Sequence, residues 1–299
     1  MNVPHISNWS KVRTTATNPQ DTQVLAYARQ QRAGGVAALY LAAAFLVSMP
    51  YFLIVVNWAS LVDSAQKVTA LVANQNSMYV MYLVTYVVFG IVLAVLALAL
   101  WKRLAGSPSI AAVSGAVGLI WACMLVASGL VFNFGAGAVV DLYDKSPAQA
   151  VSAWQAIEPV AQGLGSGQGE LLGGLWVLLV SVAALRTAAL PKALNWLGIL
   201  IGIAGKGGLH LGALGGDRPQ AVIALTLPKP TILCRGPAYG GQGYQDGDPF
   251  AGIASVIPAL LEARYLFGLL QIVWFIWLGI VMFRTRASEQ FQRQSVSSR

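Results

Sequence analysis

Residues 79–101 read YVMYLVTYVVFGIVLAVLALALW, twenty-three consecutive positions without a charge. At about 1.5 Å of rise per residue such a helix crosses a hydrocarbon core of roughly 30 Å. Two more runs of this kind flank it, Val36–Val56 (VAALYLAAAFLVSMPYFLIVV) and Ile110–Phe132 (IAAVSGAVGLIWACMLVASGLVF). Trp101 followed by Lys102 and Arg103 closes the middle run as an interfacial aromatic and two charges close a membrane span. The chain therefore reads as an all-α, polytopic transmembrane bundle.

Composition agrees. Hydrophobic residues make up 57% of the 299 positions and charged residues only 10%, too little polar surface to coat a soluble globule of this size. The net charge of +8 would suggest a nucleic-acid partner in a soluble protein. Here the basic residues sit where the apolar runs end, which points to membrane orientation, and no nucleic-acid partner is expected. The two cysteines, Cys123 in an apolar run and Cys234 in a polar loop, have no CxxC or metal-type neighbour. The polar first 33 residues, which include Asp21, predict an uncleaved first span rather than a signal peptide. The expected compartment is a bacterial-type plasma (inner) membrane.

Working outward, residues 1–33 read as a cytoplasmic arm with a short helix, Thr22–Arg32, that Gly34-Gly35 ends; Arg29 and Arg32 then lie at the membrane surface. Pro50 should kink the first span by removing a backbone donor. After Phe132, the acids Asp141, Asp144, Glu158 and Glu170 mark a segment too costly to insert. Within it Ser146-Pro147 opens a helix, Ala148–Val160, with Val151, Trp154 and Ile157 at helical spacing, read as a short amphipathic helix on the outer surface. A fourth span runs from about Leu171 to Leu185 and a sixth from Tyr265 to Phe283. Placing both termini, the second loop and the fourth loop in the cytoplasm puts twelve of the nineteen basic residues there with only Asp21 and Glu289 of the acids. The positive-inside rule thus selects six spans, a transmembrane domain over 34–286 and a cytoplasmic tail over 287–299.

The fifth span is irregular. Leu194–Ala204 is apolar, but Gly205-Lys206-Gly207-Gly208 is expected to break the helix, and apolar sequence resumes only near Gly252. The triplet Gly202-Ile203-Ala204 recurs as Gly252-Ile253-Ala254. Joining Leu194–Ala204 to Ser255–Leu261 gives one span of roughly 27 Å, so the Gly/Pro-rich stretch of about 206–251 reads as an insertion within the span. If the outer half is instead rebuilt from Lys206–Leu214, Lys206 and His210 share one helical face inside the membrane, where ionisable groups mark ion or substrate paths. The plainer reading lets Lys206 snorkel to the headgroups and leaves His210 interfacial.

Other candidates are weaker. Gly163–Gly169 (GLGSGQG) lacks the preceding strand and the Lys-Ser/Thr of a phosphate loop and reads as a flexible lead-in to the fourth span. Glu170 faces a polar cavity or is simply a carboxylate favoured at a helix start. Glu262 and Arg264 are two apart on a helix and do not face each other. Asp246-Gly247-Asp248 lacks the remaining ligands of a calcium loop. Gly198 with Gly202, and Ser114 with Gly115 and Gly118, form small faces suited to close helix packing within one bundle. Trp176, Trp196, Trp274 and Trp277 read as interfacial anchors and packing residues.

Three segments, Gly169–Arg186 (GELLGGLWVLLVSVAALR), Leu190–Gly205 (LPKALNWLGILIGIAG) and Phe267–Arg284 (FGLLQIVWFIWLGIVMFR), resemble a bacterial six-span membrane protein family catalogued as domain of unknown function 4386. The resemblance covers most of residues 30–286 outside about 206–251. It implies a six-helix membrane domain and supplies no reaction, ligand or catalytic residue.

No catalytic, cofactor-binding or metal-ligating constellation rises above background. The expectation is a non-enzymatic membrane-embedded binding, sensing or partner module needing no cofactor. Its partners would be the lipid bilayer and a protein partner or second copy of the chain. The alternative is a carrier for a small apolar or weakly polar solute, with Pro50, Gly90 and the interrupted fifth span as its moving parts.

Overall fold

A computed structural model describes residues 19–212 and 257–284; every described element is helical. Helix α1 (Pro19–Pro50) runs into a π-type turn, Tyr51–Val55. A 3-10 turn, Trp58–Ser60, leads to two short helices, α2 (Ser64–Ala73) and α3 (Gln75–Tyr82). A second π-type turn, Leu83–Val88, joins α3 to α4 (Phe89–Arg103). Then follow α5 (Pro108–Tyr143), α6 (Pro147–Leu164), α7 (Ser166–Thr187), α8 (Lys192–Gly212) and α9 (Ile257–Arg284).

Among the described residues, four continuous segments are long and apolar enough to cross a membrane: Thr22–Val55, Gln75–Arg103, Pro108–Tyr143 and Phe267–Arg284. They contain or largely coincide with the runs expected at 36–56, 79–101, 110–132 and 265–283. Leu171–Thr187 and Lys192–Ile203 are shorter apolar helices. The six helices pack in a closed ring in chain order: α1 on α4, α4 on α5, α5 on α7, α7 on α8, α8 on α9, and α9 back on α1. Inside it lie fully buried Leu41, Leu93, Trp176, Trp274 and Phe275. Leu46, Ile91, Val113, Leu200 and Val273 point outward and are more than half exposed. A water-soluble bundle would carry polar residues on that outer face.

Several expectations are corrected here. Gly34-Gly35 does not end a helix: α1 is unbroken from Pro19 to Pro50. The two glycines are where first and last helices touch, because a Cβ at Gly34 would strike Met282 and Ala99, and one at Gly35 would meet the Gly279 carbonyl at 3.3 Å. Glycine here supplies close approach rather than a break. Likewise α8 continues through Gly205 to Gly212, a helix of about 31 Å, instead of stopping at Ala204. The stretch 213–256, with most of the expected insertion, Cys234 and Asp246-Gly247-Asp248, lies outside the described residues, as do the first 18 residues and the tail. The Gly163–Gly169 lead-in is a tight joint: α6 ends at Leu164, α7 begins at Ser166, and Gly165 is pressed against Ser128 and Tyr86.

Trp176 and Trp274 are not interfacial anchors. Both are fully buried, 5.9 Å apart edge to face, with Trp121 and Phe275 beside them. Trp196, by contrast, is exposed. The small faces do pack inside the bundle. Gly118 lies under Ala97 and Trp176, and Gly198 and Gly202 under Ser181, Trp274 and Leu178. Cys123 is exposed on α5.

One end of the ring is held by Arg103. Nearly fully buried, it donates from Nε and Nη2 to the Ala189 carbonyl (3.2 and 3.1 Å) and from Nη1 to Gln31 Oε1 (3.2 Å). Gln31 in turn donates to the Ala99 carbonyl. Arg29, Arg32, Lys102, Arg186, Lys192 and Arg284 are within a few residues of this clamp or of the Gly34–Met282 contact. At the opposite end α2, α3, α6 and the far part of α5 form a second core around Val68, Leu71, Met78, Phe132, Val139 and Trp154.

Candidate functional site

The second core contains a cavity, and α6 positions its key group. Pro147 sits in the first turn of α6, where its missing N–H costs nothing. The face turned inward is Ala150, Trp154, Glu158 and Ala161, one helical stripe. It is offset from the expected Val151–Trp154–Ile157 face and carries a carboxylate. The helix is thus packed onto the bundle, with Trp154 fully buried, rather than lying free on the surface. Pro159 adds a local irregularity beside Glu158 by withdrawing the N–H that would bond the Gln155 carbonyl.

The cavity measures about 210 Å³. Aromatic rings form most of its wall: Phe52, Trp58, Tyr82, Tyr86 and Phe132. Tyr82 lies flat on Phe132, centroids 3.3 Å apart, and stacks on Tyr86 at 5.0 Å, while Phe52 meets Tyr82 edge-on at 5.4 Å. Trp154 braces the assembly from behind, edge-on to Phe132 at 5.4 Å and to Trp58 at 6.1 Å. The edge-on contacts of Phe52 and Trp154 and the offset Tyr82–Tyr86 stack suit rings with a negative face and a positive rim, while Tyr82 lies nearly face to face on Phe132.

Two wall residues come from irregular backbone. Phe52 lies in the Tyr51–Val55 π-type turn and Tyr86 in the Leu83–Val88 one. Pro50 has no N–H to close the preceding helical turn, so widening just after it is the local solution. In the second turn the Tyr40 hydroxyl donates to the Val84 carbonyl at 2.9 Å. Ser128 Oγ donates to the Ala161 carbonyl at 2.7 Å, tying α5 to α6 at the cavity floor.

Among the described residues, Glu158 is the single formally charged residue of the wall. Its Oε1 accepts from Lys67 Nζ at 2.6 Å and from Gln162 Nε2 at 2.9 Å. Lys67 pairs with it from α2, beside the residues that line the cavity, and its ammonium lies 5.8 Å from the centroid of the Trp58 ring. Both partners of the ion pair are largely shielded from solvent.

Of the residues singled out in the sequence, Glu170 lies in the second turn of α7 and Lys206 and His210 lie one turn apart on α8. The side chains of all three, and of Glu262 and Arg264, lie outside the described residues. The Lys67–Glu158 pair was missed as a site. Glu158 had a legible signal, a carboxylate in register with Ala150, Trp154 and Ala161; Lys67 had none, because its pairing joins residues 91 positions apart. Among the described residues no group of three or more His, Cys, Asp or Glu could hold a metal ion.

No family model, no curated protein and no solved structure matches this chain.

Proposed function

We propose that the chain is a six-span integral protein of a bacterial-type plasma membrane, with both termini cytoplasmic, acting as a non-enzymatic binding module. The observation that carries this reading is the aromatic-walled cavity with a buried carboxylate, Glu158. A few convergent polar groups in a concave, mostly apolar site are the usual make-up of a small-molecule pocket. The six-helix ring, its apolar outer face and the six-span resemblance of 169–186, 190–205 and 267–284 support the layout. The gathering of Arg and Lys about the Arg103 end supports its orientation, in which the cavity would face away from the cytoplasm.

Binding is tested on purified protein in detergent by thermal unfolding against compact organic probes. A saturable rise in midpoint that Ala161→Phe abolishes, by filling the cavity, is the expected result. Probes that shift both proteins equally, or neither, refute the reading. Reporter fusions placing the two chain ends on opposite faces refute the topology.

The carrier reading is favoured by one observation, that both π-type turns contribute wall residues, since such turns concentrate at functional sites and hinges. Saturable flux into proteoliposomes, lost in Glu158→Gln, would select it over a static module.

A further inference from the structure

We propose that the cavity takes a small organic ammonium ion, and that Lys67 is its tethered stand-in. The proposal rests on the binding-module reading and adds the ligand class to it.

Three observations converge. The Lys67 ammonium is held by a carboxylate at 2.6 Å and lies near the Trp58 ring, at 5.8 Å. A carboxylate combined with aromatic faces is the chemistry that recognises alkylammonium ligands, through charge and the negative face of each ring. Second, the protein has satisfied only half of Glu158: Lys67 and Gln162 both bond Oε1, and among the described residues Oε2 accepts no hydrogen bond. A carboxylate about nine-tenths buried on a cavity wall keeps acceptor capacity that a ligand N–H or N-methyl edge can use. Third, the competing cation is the exchangeable part. Lys67 belongs to α2, a ten-residue helix outside the ring of long helices, and its stem is long and flexible, whereas Glu158 is fixed by α6 packed on α5. Displacing Lys67 by a ligand ammonium conserves the charge balance of the site. Entry of an anion would instead place a second negative charge beside Glu158, and a neutral ligand would leave the Lys67 contact in place.

The test compares choline with its neutral carbon isostere, 3,3-dimethylbutan-1-ol, by thermal unfolding of the full chain in detergent. Wild type should be stabilised by choline more than by the isostere. Lys67→Met removes the competitor and leaves Glu158 uncompensated, so it should unfold earlier and bind choline about tenfold more tightly. Trp58→Leu should weaken choline by about tenfold through loss of the ring face. Glu158→Gln should abolish the choline preference while leaving the isostere unaffected. Should Lys67→Met fail to fold, the uncharged pair Lys67→Met with Glu158→Gln restores a neutral site, and it should bind both probes alike.

Choline binding that survives Glu158→Gln, or that Lys67→Met weakens, overturns the proposal. Equal binding of choline and the isostere, lost in Ala161→Phe, overturns the ammonium class but leaves the binding module standing. No response of any variant to either probe brings down both.

Discussion

Replacing Gly90 by alanine tests the packing on which the ring depends. A Cβ there would lie 2.7 Å from the Ala122 carbonyl oxygen and 2.7 Å from a Val126 methyl, with the Val126 nitrogen at 3.3 Å. Ordinary contact begins near 3.4 Å, and two of these three atoms are backbone of α5, so no rotamer change relieves the clash. Helices α4 and α5 must part by about 0.7 Å, a gap that forfeits a quarter to a half of each dispersion well of about 0.1–0.2 kcal/mol. Over about forty atom contacts at the crossing the loss is about 2 kcal/mol, within the usual range of overpacking. Alanine returns about 0.5–1 kcal/mol through its better helix propensity. Gly137 on α5 is the control, because a Cβ there meets nothing within 4 Å and only the propensity gain applies. Unfolding by titrating sodium dodecyl sulfate into mild-detergent protein, followed by tryptophan fluorescence, should show Gly90→Ala destabilised by about 1–1.5 kcal/mol and Gly137→Ala stabilised by about 0.5 kcal/mol or more. Equal tolerance of the two substitutions would refute the α4–α5 crossing.

In the same assay Ser181→Ala should be neutral or stabilising by about 1 kcal/mol, because Ser181 Oγ is fully buried and has no hydrogen-bond partner among the described residues, so its removal lifts a desolvation penalty; a loss above about 1 kcal/mol would reveal a bound water or partner. Arg103→Leu should cost about 3 kcal/mol by stranding the Ala189 carbonyl and Gln31 Oε1, and an unchanged midpoint would show that the clamp holds nothing. Ala188 sits at φ 49° in the α7–α8 joint, a left-handed conformation that a Cβ disfavours, so Ala188→Gly should stabilise by about 0.5–1 kcal/mol; destabilisation would mean that the joint has another backbone geometry.

The long apolar runs were legible because each signal is local: length and lack of charge require no knowledge of neighbours. Glycine was the systematic source of error. Gly34-Gly35 and Gly205-Lys206-Gly207-Gly208 look like helix stops by propensity, yet α1 and α8 pass through them. At Gly34-Gly35 the deciding term is what lies opposite, Met282, Ala99 and Gly279, which sequence spacing does not disclose. Tryptophan was ambiguous for a related reason. Its amphipathic ring suits an interface as well as a core, and of the two roles expected Trp176 and Trp274 take the packing one, where their area outweighs the cost of an indole N–H that finds no acceptor at Trp274 among the described residues. The site was least legible of all, because its two charges meet only after α2 folds over α6.

Why a largely shielded ion pair should be there is the question that links fold to function. Replacing such a pair with well-packed apolar residues is often neutral or stabilising, since the desolvation of two ions offsets their attraction. Val68, Leu71 and Trp154 are fully buried in the same core, and an apolar residue at 158 would extend it, so folding alone gives no reason to place Glu158 on the buried stripe of α6. The pair would earn its place if one member is meant to be exchanged. Lys67 then keeps the carboxylate compensated while the cavity is empty. On this view the uncharged double variant, Lys67→Met with Glu158→Gln, should be at least as stable as wild type in the detergent titration while losing its preference for an ammonium over a neutral isostere. The lost preference is the deciding readout, because a pair without a binding role would show no preference to lose, whatever the double variant does to stability.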